Sequence, residues 1–265
     1  MSRLEQTFAE LRKERRPGLV TYVTAGDPDL ARSPDVVRAL ARGGADVIEI
    51  GVPFSDPIAD GPAIQRASER ALAAGSDLAA SLMLVRRLRA EVPVPLVLFT
   101  YVNPVLRMGV TAFVDRAAEA GVDGVLLLDL PIEESAAVQQ SLAERGVDQI
   151  FLVSPTTSDG RLREAARLGR GFLYAISLLG VTGARTSVAA SAAPLVQRIR
   201  AVTTLPVALG FGVSRPEHVA EVTRFADAAV VGSAIVQVIA ETNGRGGDVG
   251  GAVETFVRWI KGAAA

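Results

Sequence analysis

The sequence predicts an α/β protein in which parallel strands alternate with helices and close as a (β/α)₈ barrel, with an extra helix at the N-terminus. Three observations carry this. Short β-branched or Leu-rich runs alternate with helical patterns along the whole chain, and such alternation implies parallel strands buried on both faces. The units number eight, and 265 residues is close to the length of about 250 that such a barrel typically needs. A weak repeat marks helix exit and strand entry at GGADVIEI, AGVDGVLLLD, RGVDQIFLV and RFADAAVVG. In the first three a Gly stands where a helix C-cap is wanted and a polar turn follows. A doubly wound sheet also suits the alternation. It usually has fewer strands, however, and often a Gly-rich first turn, whereas the turn here reads Ala25-Gly26-Asp27-Pro28. No interdomain linker stands out, so residues 1–265 read as one domain.

The first element is a short helix. Ser2 with Glu5 makes a capping box, Leu4, Phe8 and Leu11 share one face, and Pro17-Gly18 stops it. Such a helix is expected to cover one end of the core. Strands are expected at 19–24, 46–51, 95–101, 123–129, 149–153, 172–177, 206–210 and 228–232. Between them lie helical patterns at 33–42, 63–73 with 78–90, 111–120, 133–145, 160–168, 193–202 and 216–225, and a last helix near 252–261. Pro95 and Pro206 open strands, where a missing N–H is tolerated. A short uncharged segment follows the eighth strand, and Gly-rich 243–251 reads as a surface loop. Residues 187–193 are low in complexity but open a helical pattern.

Composition excludes several functions. The 28 Lys and Arg are balanced by 29 Asp and Glu and scattered, which argues against a nucleic-acid footprint. There is no Cys, so no disulfide framework, thiolate metal site or thiol nucleophile. A single His, His218, rules out a His-rich metal site, and it reads as a surface residue. The N-terminus lacks the apolar stretch of a secretory signal, and no 18 apolar residues run together. A cytoplasmic protein without metal or membrane span is expected.

Chemistry concentrates in 46–65, DVIEIGVPFSDPIADGPAIQ. Glu49 sits in an apolar strand near its C-terminal end, where barrels of this kind place catalytic groups. A charge isolated there is costly unless paired or functionally tuned. Its bland reading is a buried carboxylate satisfied by backbone N–H groups or an Arg. Asp60, just before Gly61-Pro62, reads equally as a second working carboxylate or as a helix N-cap. Asp129 anchors loops or acts, and Tyr101 and Tyr174 read as core aromatics with bonded hydroxyls. Glycines recur after strands six, seven and eight, in Gly180-Val181-Thr182-Gly183, Gly210-Phe211-Gly212 and Gly232-Ser233. Glycines and helix N-termini let main-chain N–H groups hold a phosphate without Lys or Arg.

The run EIGVPFSDPIADGPAIQ, followed in order by TYVNP, LLLDLP, SLLGVTGARTS, LGFGVS and VVGSAIV, resembles the tryptophan synthase alpha subunit family over essentially the whole chain. The resemblance implies a TIM barrel that cleaves indole-3-glycerol phosphate to indole and glyceraldehyde 3-phosphate by a retro-aldol reaction. Glu49 matches the catalytic acid/base, Asp60 the second catalytic carboxylate, and Tyr174 a tyrosine beside the reacting carbon. Gly183, Gly212, Gly232 and Ser233 match the phosphate cradle. Tyr22, Phe99, Tyr101, Leu126, Leu152, Thr182 and Phe211 match the indole pocket, and 53–58 and 180–187 two mobile loops. Tyr22 stands where Phe is frequent and Leu128 where smaller residues are common. The implied partner is a beta subunit, in an alpha2-beta2 heterotetramer. No cofactor is expected in this chain, and pyridoxal phosphate only in the beta partner. The alternatives are a stand-alone lyase of the same family, a non-catalytic binding or regulatory barrel and, more weakly, a phosphosugar isomerase on a similar barrel.

Overall fold

Eight parallel strands, each hydrogen-bonded to the next in chain order, close into a barrel when β8 pairs back onto β1. The computed structural model describes residues 1–176, 188–210 and 212–262. The strands are β1 (Gly18–Thr24), β2 (Val47–Gly51), β3 (Leu96–Thr100), β4 (Gly124–Leu127), β5 (Asp148–Val153), β6 (Leu173–Ile176), β7 (Val207–Gly210) and β8 (Ala228–Val231). The helices are α1 (Arg3–Lys13), α2 (Ser33–Gly43), α3 (Pro62–Ala73), α4 (Leu78–Leu88), α5 (Val102–Met108), α6 (Val110–Ala120), α7 (Ala136–Glu144), α8 (Asp159–Leu168), α9 (Val188–Arg200), α10 (Pro216–Val222), α11 (Ser233–Gly244) and α12 (Val249–Lys261).

Side chains alternate in and out along each strand, as the pleat requires. Outward residues such as Ile48, Ile50, Leu98, Val125 and Leu209 pack under the helices. Inward residues Val20, Val47, Val97, Leu126, Ile150 and Phe172 fill the barrel. Leu4, Phe8 and Leu11 of α1 join that inner cluster and close the end where the strands begin. The capping box of Ser2 and Glu5 forms as expected. Gly44 and Gly121 adopt left-handed C-caps at φ 101° and 82°, as the repeat implied.

The repeat has a second purpose, carried by its Asp residues. Asp46, Asp123 and Asp227 each precede a strand and accept an N–H from the start of the strand one step back: Leu19 at 2.8 Å, Leu96 at 2.8 Å and Val207 at 2.7 Å. Cations neutralise each one: Arg16 and Lys261 at Asp46, Arg3 and Arg89 at Asp123, and Arg200 at Asp227.

Three expectations need correction. The uncharged segment after β8 is a full helix, α11, because Ile235, Val236 and Ile239 share a buried face. Most of 243–251 is helical. Asn243 and Gly244 end α11, and Asp248 caps α12 by accepting the Gly251 N–H at 3.0 Å, which offsets the poor helix propensity of Gly250 and Gly251. An extra helix, α5, precedes α6. It is short, and a remote carboxylate, Asp129, takes the Val102 N–H at 2.7 Å, so its own seven residues carry little signal.

Candidate active site

Glu49 is an inward residue of β2, in register with Tyr22 of β1 and Val97 of β3. It is fully buried, and neither carboxyl oxygen has a hydrogen-bond partner among the described residues. Burial alone pushes its pKa from 4.5 to about 8. The bland reading, a carboxylate satisfied by N–H groups or Arg, therefore has no support among the described residues.

Asp60 lies in the loop between β2 and α3, half-buried. It is not a helix cap: Gly61 holds that position, without any side-chain cap bond. The Tyr101 hydroxyl donates to Asp60 Oδ2 at 3.2 Å, and the Gln65 amide donates to the Asp60 carbonyl at 2.8 Å. Burial pushes the Asp60 pKa up to about 6, against the opposing pull of the Tyr101 bond. The two acids share one mouth. The Tyr22 hydroxyl is driven well above its usual range by burial first, then by the charge of Asp60 and of Glu49. Tyr174 is raised likewise, by burial, Glu49, Tyr22 and Asp60.

Aromatic rings line this mouth. Phe99 meets Tyr22 edge-on at 5.3 Å and Tyr174 at 6.5 Å. Leu152 and Leu128 are partly exposed. Leu126, in register with Phe99, is fully buried in the barrel core. Two glycines make room for the tyrosines: Gly51, and Gly210, which the sequence reading grouped with the phosphate glycines. A Cβ at Gly51 would collide with the Tyr22 hydroxyl, and one at Gly210 would lie 2.6 Å from that of Tyr174. Their signal was present, since each ends its strand at an inward position. The Tyr101–Asp60 bond had none, because it joins residues 41 apart.

β7 and β8 are neighbours, which brings Gly212 and Gly232-Ser233 to the same end of the barrel. Gly212 is exposed with φ +71°, and the space where a Cβ would stand is open. Gly232 precedes α11 with no side-chain cap, so the first N–H groups of that helix, starting at exposed Ser233, stay available. Thr182, Gly183, Phe211 and the segment 180–187 lie outside the described residues.

Other candidates resolve into structure. Asp129 ties its loop to α5 as above, and His218 Nδ1 accepts the Ser214 N–H at 3.3 Å. Fully buried Asp27 pairs with Arg70 through two bonds, 2.8 and 2.9 Å, holding the loop after β1 against α3. No cluster of His, Asp and Glu able to hold a metal occurs among the described residues. Among them, no helix is long and apolar enough to cross a membrane.

The family profile described as tryptophan synthase alpha chain matches residues 8–263. The tryptophan synthase alpha chain of Geobacter sulfurreducens is 50% identical over 263 residues, covering 99% of both chains. That of Solibacter usitatus is 49% identical over 261 residues, covering 98% of this chain and 97% of its own. The chain belongs to the tryptophan synthase alpha chain family. Solved structures agree: tryptophan synthase subunit alpha from Legionella pneumophila superposes with a TM-score of 0.90 at 36% identity, covering 100% of this chain and 98% of that one. Tryptophan synthase from Mycobacterium tuberculosis gives 0.90 at 37% identity, with coverages of 99% and 98%. As a member of the tryptophan synthase alpha chain family, this chain is a TIM-barrel lyase of tryptophan biosynthesis that cleaves indole-3-glycerol phosphate.

Proposed function

We propose that Glu49 and Asp60 carry out this cleavage as a retro-aldol reaction, with Glu49 neutral and Asp60 ionised at the start. The observation that carries the reading is Glu49, fully buried, unpartnered among the described residues and raised to about 8. At neutral pH it keeps the proton that the first step needs. Glu49 protonates C3 of the indole ring, and the resulting positive ring nitrogen donates its N–H to the Asp60 carboxylate. Glu49, now a carboxylate, takes the proton of the glycerol hydroxyl next to the ring. The carbon–carbon bond breaks, its electron pair restores the aromatic ring, and indole and glyceraldehyde 3-phosphate leave. Two carboxyl groups whose surroundings drive their pKa values apart divide acid and anion roles between them. Such acid–base catalysis typically contributes about 10²–10⁴-fold in rate.

Binding roles follow the family resemblance, joined by the same geometry where the residues are described. Gly212, Gly232 and Ser233, with Gly183, hold the phosphate through main-chain N–H groups and the positive end of α11. Tyr22, Phe99, Tyr101, Leu126 and Leu152 line the indole pocket, Thr182 and Phe211 join them on the family resemblance alone, Leu128 borders it, and Tyr174 stands beside the reacting carbon. A cleft of about 490 Å³ lined by Pro53, Phe54, Leu72, Pro104, Arg107 and Met108 borders the loop that carries Asp60. Docking of a beta subunit there, in an alpha2-beta2 assembly with pyridoxal phosphate in the partner, links its arrival to that loop. The residues 1–265 act as one domain in the cytoplasm.

The test is indole release by the full chain across pH, with and without a beta subunit. The kcat/KM profile is expected to be bell-shaped. Activity rises as Asp60 ionises near pH 6 and falls as Glu49 loses its proton near pH 8. A flat profile, or retained indole release in Glu49→Gln, overturns the assignment. An unchanged rate on adding the beta subunit favours the stand-alone lyase.

A further inference from the structure

One residue, Tyr101, grips the loop carrying Asp60 at three points. Its hydroxyl accepts the Ala59 N–H at 3.0 Å and donates to Asp60 Oδ2 at 3.2 Å. Its ring lies against Phe54, centroids 5.1 Å apart and planes 32° apart. Tyr101 is itself only 2% exposed, following β3, so it is a fixed point rather than a mobile one. The loop is tied to the same strand just upstream, where the Val52 N–H donates to the Phe99 carbonyl at 2.9 Å. Residues 52–60 are thus strapped along 99–101, while Gln65 holds the Asp60 main chain from α3. A carboxylate on a loop is otherwise free to rotate, and a lateral error of about 1 Å costs on the order of a hundredfold in rate.

We propose that Tyr101, beyond its place in the pocket wall, is a positioning residue: its hydroxyl aims the Asp60 carboxylate at the indole nitrogen and its ring seats the loop that carries it. This rests on the role given to Asp60 above. Because it acts through Asp60, Tyr101 matters for cleavage only while that carboxylate is present.

The experiment is a double-mutant cycle read by indole release from the full chain with its beta subunit. Tyr101→Phe keeps the ring on Phe54 and removes both hydroxyl bonds. In the native background, kcat is expected to fall about ten- to a hundredfold with KM nearly unchanged, the scale of a lost bond to a charged group. In an Asp60→Asn background the same substitution is expected to change kcat less than about threefold. The pH profile supplies a readout that a merely structural role does not move. The Tyr101 bond favours the ionised form of Asp60, so its loss moves the acid limb to higher pH. Among the described residues the other groups facing these two are Glu49 from β2, Tyr22 from β1, Tyr174 from β6 and Asp129 beyond β4, all retained, so the alkaline limb stays in place. Equal losses in both backgrounds, or an acid limb that does not move, overturn the proposal. Should Tyr101→Phe unfold, Gln65→Leu in the same cycle tests whether holding Asp60 matters. Failure of the parent reading looks different: Asp60→Asn alone then leaves kcat at the native value.

Discussion

Two sets of acids at opposite ends of the barrel are held in different ways. Where the strands begin, Asp46, Asp123 and Asp227 each receive a main-chain N–H and at least one Arg or Lys. Asp148, beside them, has the Ser2 hydroxyl as its donor, and burial pushes it to about 6. Where the strands end, Glu49 has no partner among the described residues, and Asp60 has a tyrosine hydroxyl at 3.2 Å. The number and charge of the donors set these two groups of acids apart. One end uses its acids to join strands. At the other, Asp27 is paired with Arg70, while Glu49 has no partner among the described residues and Asp60 a tyrosine hydroxyl, the setting that proton transfer near neutral pH requires.

This contrast can be broken most sharply at Glu49. Glu49→Gln is expected to lower kcat for indole release by about 10²–10⁴-fold while substrate still binds. It should also raise the unfolding temperature, most clearly at and above pH 8. The folded pKa of Glu49, about 8, exceeds its ordinary 4.5, so native stability drains away as pH rises between those values, and Gln does not titrate. Thermal melts of both forms at pH 5 and pH 8.5 check this, and a variant less stable at both would sink the contrast.

Gly212→Asp comes next. At φ +71° it strains the backbone, and it sets a carboxylate against the phosphate. KM is expected to rise about tenfold or more with kcat less affected, as measured by steady-state kinetics. Asp46→Ala tests the opposite end. Stripping the Leu19 N–H, Arg16 and Lys261 of their shared acceptor should lower stability by about 2–4 kcal/mol in urea titrations, with kcat/KM of the folded fraction unchanged. The smallest effect is expected from Tyr22→Phe. Among the described residues the hydroxyl has only Thr24 Oγ1 at 3.4 Å, so kinetics should shift less than about threefold.

How much was legible depended on how far each signal reached along the chain. Eight short apolar runs announced the strands, and the Ser2–Glu5 cap and the glycines at Gly44 and Gly121 act within a few residues of themselves. Glu49 stood out because a carboxylate among Val47, Ile48 and Ile50 breaks an apolar pattern. The two helices flanking Gly232 and Asp248 were harder. One lacks the charged face that marks an amphipathic period, and the other carries glycines that a single capping Asp outweighs. Leu126 and Leu128 look alike in sequence, yet only the closed barrel buries the first fully and leaves the second partly exposed.

The sequence by itself determined the alternation, the strand ends and the identity of the two carboxyl groups, because pattern, turn chemistry and charge are properties of neighbouring residues. Tertiary structure alone decided their protonation. Whether Glu49 holds its proton and Asp60 releases it depends on which groups from distant strands surround them. A pKa is set by the water removed and the donors left in its place, and both are brought together only when the barrel closes.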